Sequence, residues 1–185
     1  MPIIPNLITT TRLLLSIPIS ISIYQGSEGI ALILFIVAGL SDGLDGFLAR
    51  KFSWESKFGR LLDPLADKCL ILSTLLALAF AELLPIWFVG VLLIRDAVVV
   101  MGSILYLTIF EGRNSKSNRW GKHYTGWTIA MFIIILLNQS LLSFTLFLDL
   151  LFKVSLFGVL SFTLLSLFYY LKEQGREVFL QLFRN

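Results

Sequence analysis

Cysteine, histidine and charge are all scarce in this chain, and each scarcity excludes something. The 185 residues include one cysteine and one histidine. Cys69 stands alone inside an apolar run, so no disulfide framework exists and the thiol reads as a small packing residue. The lone His123 reads as an interfacial polar residue rather than a metal ligand. Only 15% of the residues are charged while 57% are hydrophobic, and the mean hydropathy is +0.86. A soluble domain of this length needs far more polar surface, so a polytopic membrane protein is expected. The formal net charge of +3 is small, and no nucleic-acid partner is expected. Neither lysine nor arginine precedes Arg12, and no A-x-A-like cleavage signal follows. The first apolar segment is therefore expected to be a retained helix. Long linkers, low-complexity tracts and internal repeats are also missing, which predicts one membrane domain over residues 1–185.

What is present is a series of long apolar runs. A helix needs about 20 apolar residues to cross the hydrocarbon core. Six segments fit, at roughly 6–24, 28–50, 59–82, 85–110, 120–139 and 147–172. In lipid the backbone must satisfy its own hydrogen bonds, so an all-α bundle of six transmembrane helices is predicted. Lysine and arginine set its orientation. The linkers at 25–29, 83–84 and 138–146 contain none. Arg50, Lys51, Lys57 and Arg60 occupy the second linker, and Arg113, Lys116, Arg119 and Lys122 the fourth. Both termini and the 50–60 linker are thus expected on the cytoplasmic side of the inner membrane, with Lys153 snorkelling to the opposite interface.

Negative charge returns where it is expensive. Asp42 and Asp45 lie three apart at the close of the second segment, and Asp63 and Asp67 four apart at the start of the third. Each spacing puts a pair on one helix face. A charged side chain at membrane depth costs about 2.5–3.5 kcal/mol even on the lenient insertion scale. Clustered carboxylates also repel one another. A divalent cation between the two helix ends resolves both problems, and carboxylate oxygens suit magnesium, manganese or calcium. Simple pairing with Arg50, Arg60 and Lys68 is the plainer account, but it does not explain the repeated spacing. A cation transporter is the remote alternative. It would carry its carboxylates near the midplane in broken helices, whereas these sit at helix ends beside arginines that welcome a phosphate.

The pattern Asp42-x-x-Asp45-Gly46-x-x-Ala49-Arg50, eight residues, then Gly59-x-x-x-Asp63-x-x-x-Asp67 resembles the signature of the CDP-alcohol phosphatidyltransferase family at every fixed position. The resemblance implies an active site at the cytoplasmic ends of helices two and three. It implies two divalent metals per site, Mg2+ or Mn2+, held by Asp42, Asp45, Asp63 and Asp67 against the pyrophosphate of CDP-diacylglycerol. Asp67 is implied as the catalytic base for the acceptor hydroxyl, with CMP leaving. Asp42, Gly46, Ala49, Arg50 and Gly59 match nucleotide-binding positions. The small residues admit the cytidine, and Arg50 is able to grip a phosphate bidentately.

PNLITTTRLLL and GRLLDPLADK further resemble the branch containing phosphatidylglycerophosphate synthases and CMP-forming cardiolipin synthases. Their acceptors, glycerol 3-phosphate and phosphatidylglycerol, are both anionic, so cations are expected to bind them. Arg95, Arg113 and Lys122 are the candidates. Enzymes using glycerol 3-phosphate typically carry an Arg–Glu pair with a second arginine eight residues on, and a G-K-x-K-T run. Here Arg95 precedes Asp96, Ser103 takes the second arginine's place, and Tyr124 the second lysine's. Two missing cations favour phosphatidylglycerol, with glycerol 3-phosphate as the alternative. Arginine at 103 and lysine at 124 are expected to shift preference toward glycerol 3-phosphate. Family resemblance also implies a homodimer, with the third and fourth helices as candidate interfaces.

Overall fold

A computed structural model describes the backbone of residues 3–52, 59–109, 119–141 and 145–172. Side chains are described for 10–41, 65–104, 106, 108, 119–141 and 146–172. Six helices follow in order: α1 (Ile3–Tyr24), α2 (Glu28–Phe52), α3 (Gly59–Phe80), α4 (Ile86–Ile109), α5 (Arg119–Ser140) and α6 (Thr145–Tyr170). No strand occurs among the described residues. The helix bounds fall within a few residues of those expected from apolar runs and breakers.

The breakers act locally. After α1, Gly26 adopts φ 69°, which lets the Gly26 N–H donate to the Ile23 carbonyl at 3.1 Å and the Ser27 N–H to that of Ser22 at 2.8 Å. This closes the helix with a Schellman turn. Glu82 makes the equivalent turn after α3 at φ 58°, and Pro85 then prevents the backbone from continuing.

The interior holds polar side chains beside its apolar core, and many large apolar side chains face outward. Arg12, Ser16, Thr74, Arg95, Thr128, Ser155, Thr163 and Ser166 are buried, while Leu14, Ile17, Ile33, Ile94, Phe157 and Leu164 are exposed. Polar groups inside and large apolar groups outside suit a hydrocarbon solvent, where polar side chains join helices rather than face out. Ser155 and Thr163 satisfy their hydroxyls on carbonyls of their own helix, at 2.7 Å each. Among the described residues, Ile86–Ile104 of α4 and Leu146–Tyr170 of α6 are long and apolar enough to cross a membrane, and only 22% of each is buried within the protein. A core helix of a soluble protein would be mostly buried.

The chain divides into two compact units, Met1–Pro85 with Phe132–Thr145, and Ile86–Met131 with Leu146–Asn185. In the first, α1 packs against both α2 and α3. The start of α2 lies against the end of α5, with Gly29 beside Ser140 and the Phe35 and Phe132 rings edge to face at 5.8 Å. In the second, α6 meets α4 at Arg95–Ser166 and Gly102–Tyr170, and meets α5 at Trp127–Gly158 and His123–Phe162. The ascending and descending number pairs make α6 parallel to α4 and antiparallel to α5.

Close approach at Gly158 has a measurable consequence. A Cβ there would lie 2.7 Å from the Trp127 ring. Gly158→Ala is therefore expected to cost about 1–3 kcal/mol by overpacking, read as a lower melting temperature of the purified protein in detergent.

Candidate functional site

In the first unit the helices set the acidic residues by backbone geometry. Asp42 and Asp45 lie in the last three turns of α2, and Asp63 and Asp67 in the first three turns of α3. Gly46, Ala49 and Arg50 follow on α2, and Gly59 opens α3. Side chains of Asp42, Asp45, Ala49, Arg50 and Asp63 lie outside the described set, as does all of Arg113.

Asp67 is described in full, and it has a partner that sequence reading missed. Arg12 of α1 donates from Nη1 to Asp67 Oδ1. The two residues are 55 apart in the chain and meet because α1 runs parallel to α3. The pair is lopsided. Arg12 is 1% exposed, whereas the Asp67 side chain is 48% exposed. A guanidinium removed from water costs several kcal/mol unless paired, and Asp67 is one such partner. The signal available in the sequence was that Arg12 is a lone cation within the first apolar segment, and such a residue is a functional candidate by default.

The donor set fits a divalent cation. Asp67 presents a half-open carboxylate, and Asp42, Asp45 and Asp63 on the neighbouring turns of α2 and α3 are likewise hard oxygen donors by residue type.

The second unit holds a different charged centre. Arg95 of α4 is 8% exposed. Its Nη1 donates to Asp96 Oδ1 at 2.6 Å, and its Nη2 to Ser166 Oγ of α6 at 2.5 Å. The guanidinium carbon lies 4.1 Å from the centre of the Tyr124 ring of α5, a cation–π contact. Gly121, one turn before Tyr124, leaves space at the guanidinium edge, where a Cβ would come within 3.6 Å of Nη2. Arg95 Nε is buried with no hydrogen-bond partner among the described residues. Buried donors are rarely left so, and an anion is the natural partner for this one.

Tyr124 is thus no vacant seat for a cation. It is 4% exposed and forms the shelf on which Arg95 lies. Ser103 is also accounted for, since its hydroxyl donates to the Val99 carbonyl at 2.7 Å. Its neighbour Gly102 lies hard against Tyr170, where a Cβ would collide with the phenol. Lys122 occupies another side of α5, about 200° around the helix from Tyr124. It is exposed and lines a cavity of about 320 Å³ with His123, Gly126, Trp127 and Ala130. His123 stacks on Phe162 at 5.6 Å and sits beside Trp120, in an aromatic cluster rather than an acidic one.

The model of the CDP-alcohol phosphatidyltransferase family matches residues 2–170. A Drosophila melanogaster protein named probable cardiolipin synthase (CMP-forming) is 44% identical over 94 residues, 50% of this chain and 29% of its own length. The cardiolipin synthase (CMP-forming) of Streptomyces coelicolor is 49% identical over 75 residues, 40% of this chain and 35% of the relative. The CDP-diacylglycerol–glycerol-3-phosphate 3-phosphatidyltransferase of Bacillus subtilis is 35% identical over 154 residues, 75% of this chain and 78% of the relative. The chain thus spans about a third of the length of the first two relatives.

Proposed function

We infer the activity from one premise: the chain belongs to the CDP-alcohol phosphatidyltransferase family. It moves the phosphatidyl group of CDP-diacylglycerol to an acceptor hydroxyl and releases CMP. The observation that carries this reading is Asp67, a half-open carboxylate held from behind by a buried arginine. Asp67 takes the proton of the acceptor hydroxyl. The freed oxygen attacks the phosphorus joined to diacylglycerol, and the bond to CMP breaks. A carboxylate is a weak base near neutral pH, so position does more here than basicity. Asp42, Asp45, Asp63 and Asp67 would hold two divalent cations, Mg2+ or Mn2+, which when bound neutralise charge on the attacking and leaving oxygens together. Gly46, Ala49 and Gly59 leave room for the nucleotide, with Asp42 beside it, and Arg50 takes a phosphate.

The acceptor is an anion bound by Arg95, with Arg113 adding positive charge, whereas Lys122 faces another side of α5. Phosphatidylglycerol is the preferred acceptor, which makes the protein a CMP-forming cardiolipin synthase. Its bridging phosphate carries one charge, matching a centre where one arginine stands and Ser103 and Tyr124 are neutral and already engaged. Glycerol 3-phosphate is the second reading, favoured by the Bacillus subtilis relative that aligns over most of the chain. Six membrane-crossing helices in one domain, with both termini and the acidic helix ends on the cytoplasmic face of the inner membrane, follow from the lysine and arginine distribution. A homodimer through α3 and α4 completes the reading.

The test is CMP release by the purified chain from CDP-diacylglycerol, with phosphatidylglycerol or glycerol 3-phosphate offered separately. Turnover is expected with phosphatidylglycerol, lost in excess EDTA and restored by Mg2+ or Mn2+. Activity with glycerol 3-phosphate alone would promote the second reading. Full turnover in EDTA would remove the metal role.

A further inference from the structure

Arg12 is the largest fully buried side chain among the described residues, and it belongs to a helix with none of the family's signature residues. It is paired with Asp67, a carboxylate of the signature, and that carboxylate is half open. The hydrogen bond is accepted by Asp67 Oδ1. Arginine suits this role because its planar fork keeps its charge at any working pH and loses little freedom on pairing. The parallel seam of α1 and α3 fixes the donor from a second helix.

We propose that Arg12 is the positioning residue for Asp67: it orients the carboxylate for metal ligation and proton acceptance without touching substrate. This rests on the reading of Asp67 as ligand and base. Ligating carboxylates are commonly hydrogen-bonded from behind, and loss of such a partner typically costs 10–100-fold in metal affinity or activity.

The experiment is Mn2+ titration of the full chain in detergent, with free Mn2+ read by electron paramagnetic resonance and no substrate present. Wild type, Arg12→Gln, Arg12→Lys and Asp42→Asn are compared, and melting temperatures are taken in EDTA. Arg12→Gln is expected to weaken Mn2+ binding by about 10–100-fold. Arg12→Lys, which keeps the charge and one donor, should recover part of that loss. The Mn2+ concentration for half-maximal CMP release should rise in parallel. A lower melting temperature with unchanged Mn2+ affinity would mean a purely structural pair and overturn the proposal. Tighter binding in Arg12→Gln would overturn it too, since the arginine would then compete with the metal. Should Arg12→Gln fail to fold, Arg12→Lys decides alone, and wild-type affinity in that variant sinks the idea. Loss of binding in Asp42→Asn, with none in either Arg12 variant, rejects only this proposal. A wild-type protein that binds no Mn2+ rejects the carboxylate site along with it.

Discussion

Replacing Asp67 with asparagine is expected to lower CMP release by roughly 10²–10⁴-fold, the usual span for losing a positioned base. Asparagine keeps the size of the side chain and one carbonyl oxygen. That oxygen still accepts the Arg12 Nη1–H, so the α1–α3 seam is preserved. What is lost is the capacity to take a proton. Binding of CDP-diacylglycerol should largely survive, measured by equilibrium binding of labelled lipid to protein in nanodiscs. Asp42→Asn or Asp63→Asn should instead weaken metal and nucleotide binding together. Wild-type turnover in Asp67→Asn would show that another group takes the proton.

The second large effect is expected at Arg95. Arg95→Gln should raise the KM for the anionic acceptor by about 10–100-fold, since one charge-assisted hydrogen bond is worth about 1.5–3 kcal/mol. The KM for CDP-diacylglycerol should change little. The fold has means to absorb the change. Ser166 is able to turn its hydroxyl to a carbonyl of its own helix, as Ser155 and Thr163 on α6 already do. Tyr124→Phe keeps the ring under the guanidinium and should be nearly neutral. Tyr124→Lys, by contrast, removes the shelf and sets a like charge beside Arg95. It is expected to weaken use of both acceptors rather than redirect the enzyme to glycerol 3-phosphate, which reverses the expectation from sequence. Kinetics with each acceptor, before and after the substitution, decide between these outcomes. An unchanged acceptor KM in Arg95→Gln would remove Arg95 from acceptor binding.

The sequence by itself determined whatever depends on neighbours along the chain. The six helices follow from apolar runs, stopped where Gly26 and Glu82 take left-handed turns. The aspartate pattern was legible for the same reason: spacings of three and four are facts about one helix, and the motif reads two helices in succession. Tertiary structure decided what faces what. Arg12 meets Asp67 across 55 residues, and Arg95 meets Ser166 across 71. Neither pairing leaves a periodic trace, because any of several helices could have supplied the partner. Position 124 makes the point most sharply. In sequence it is a missing lysine, a gap in positive charge. In the folded protein the same tyrosine carries the arginine next to it, because an aromatic face supports a guanidinium only where packing brings α4 and α5 within contact distance.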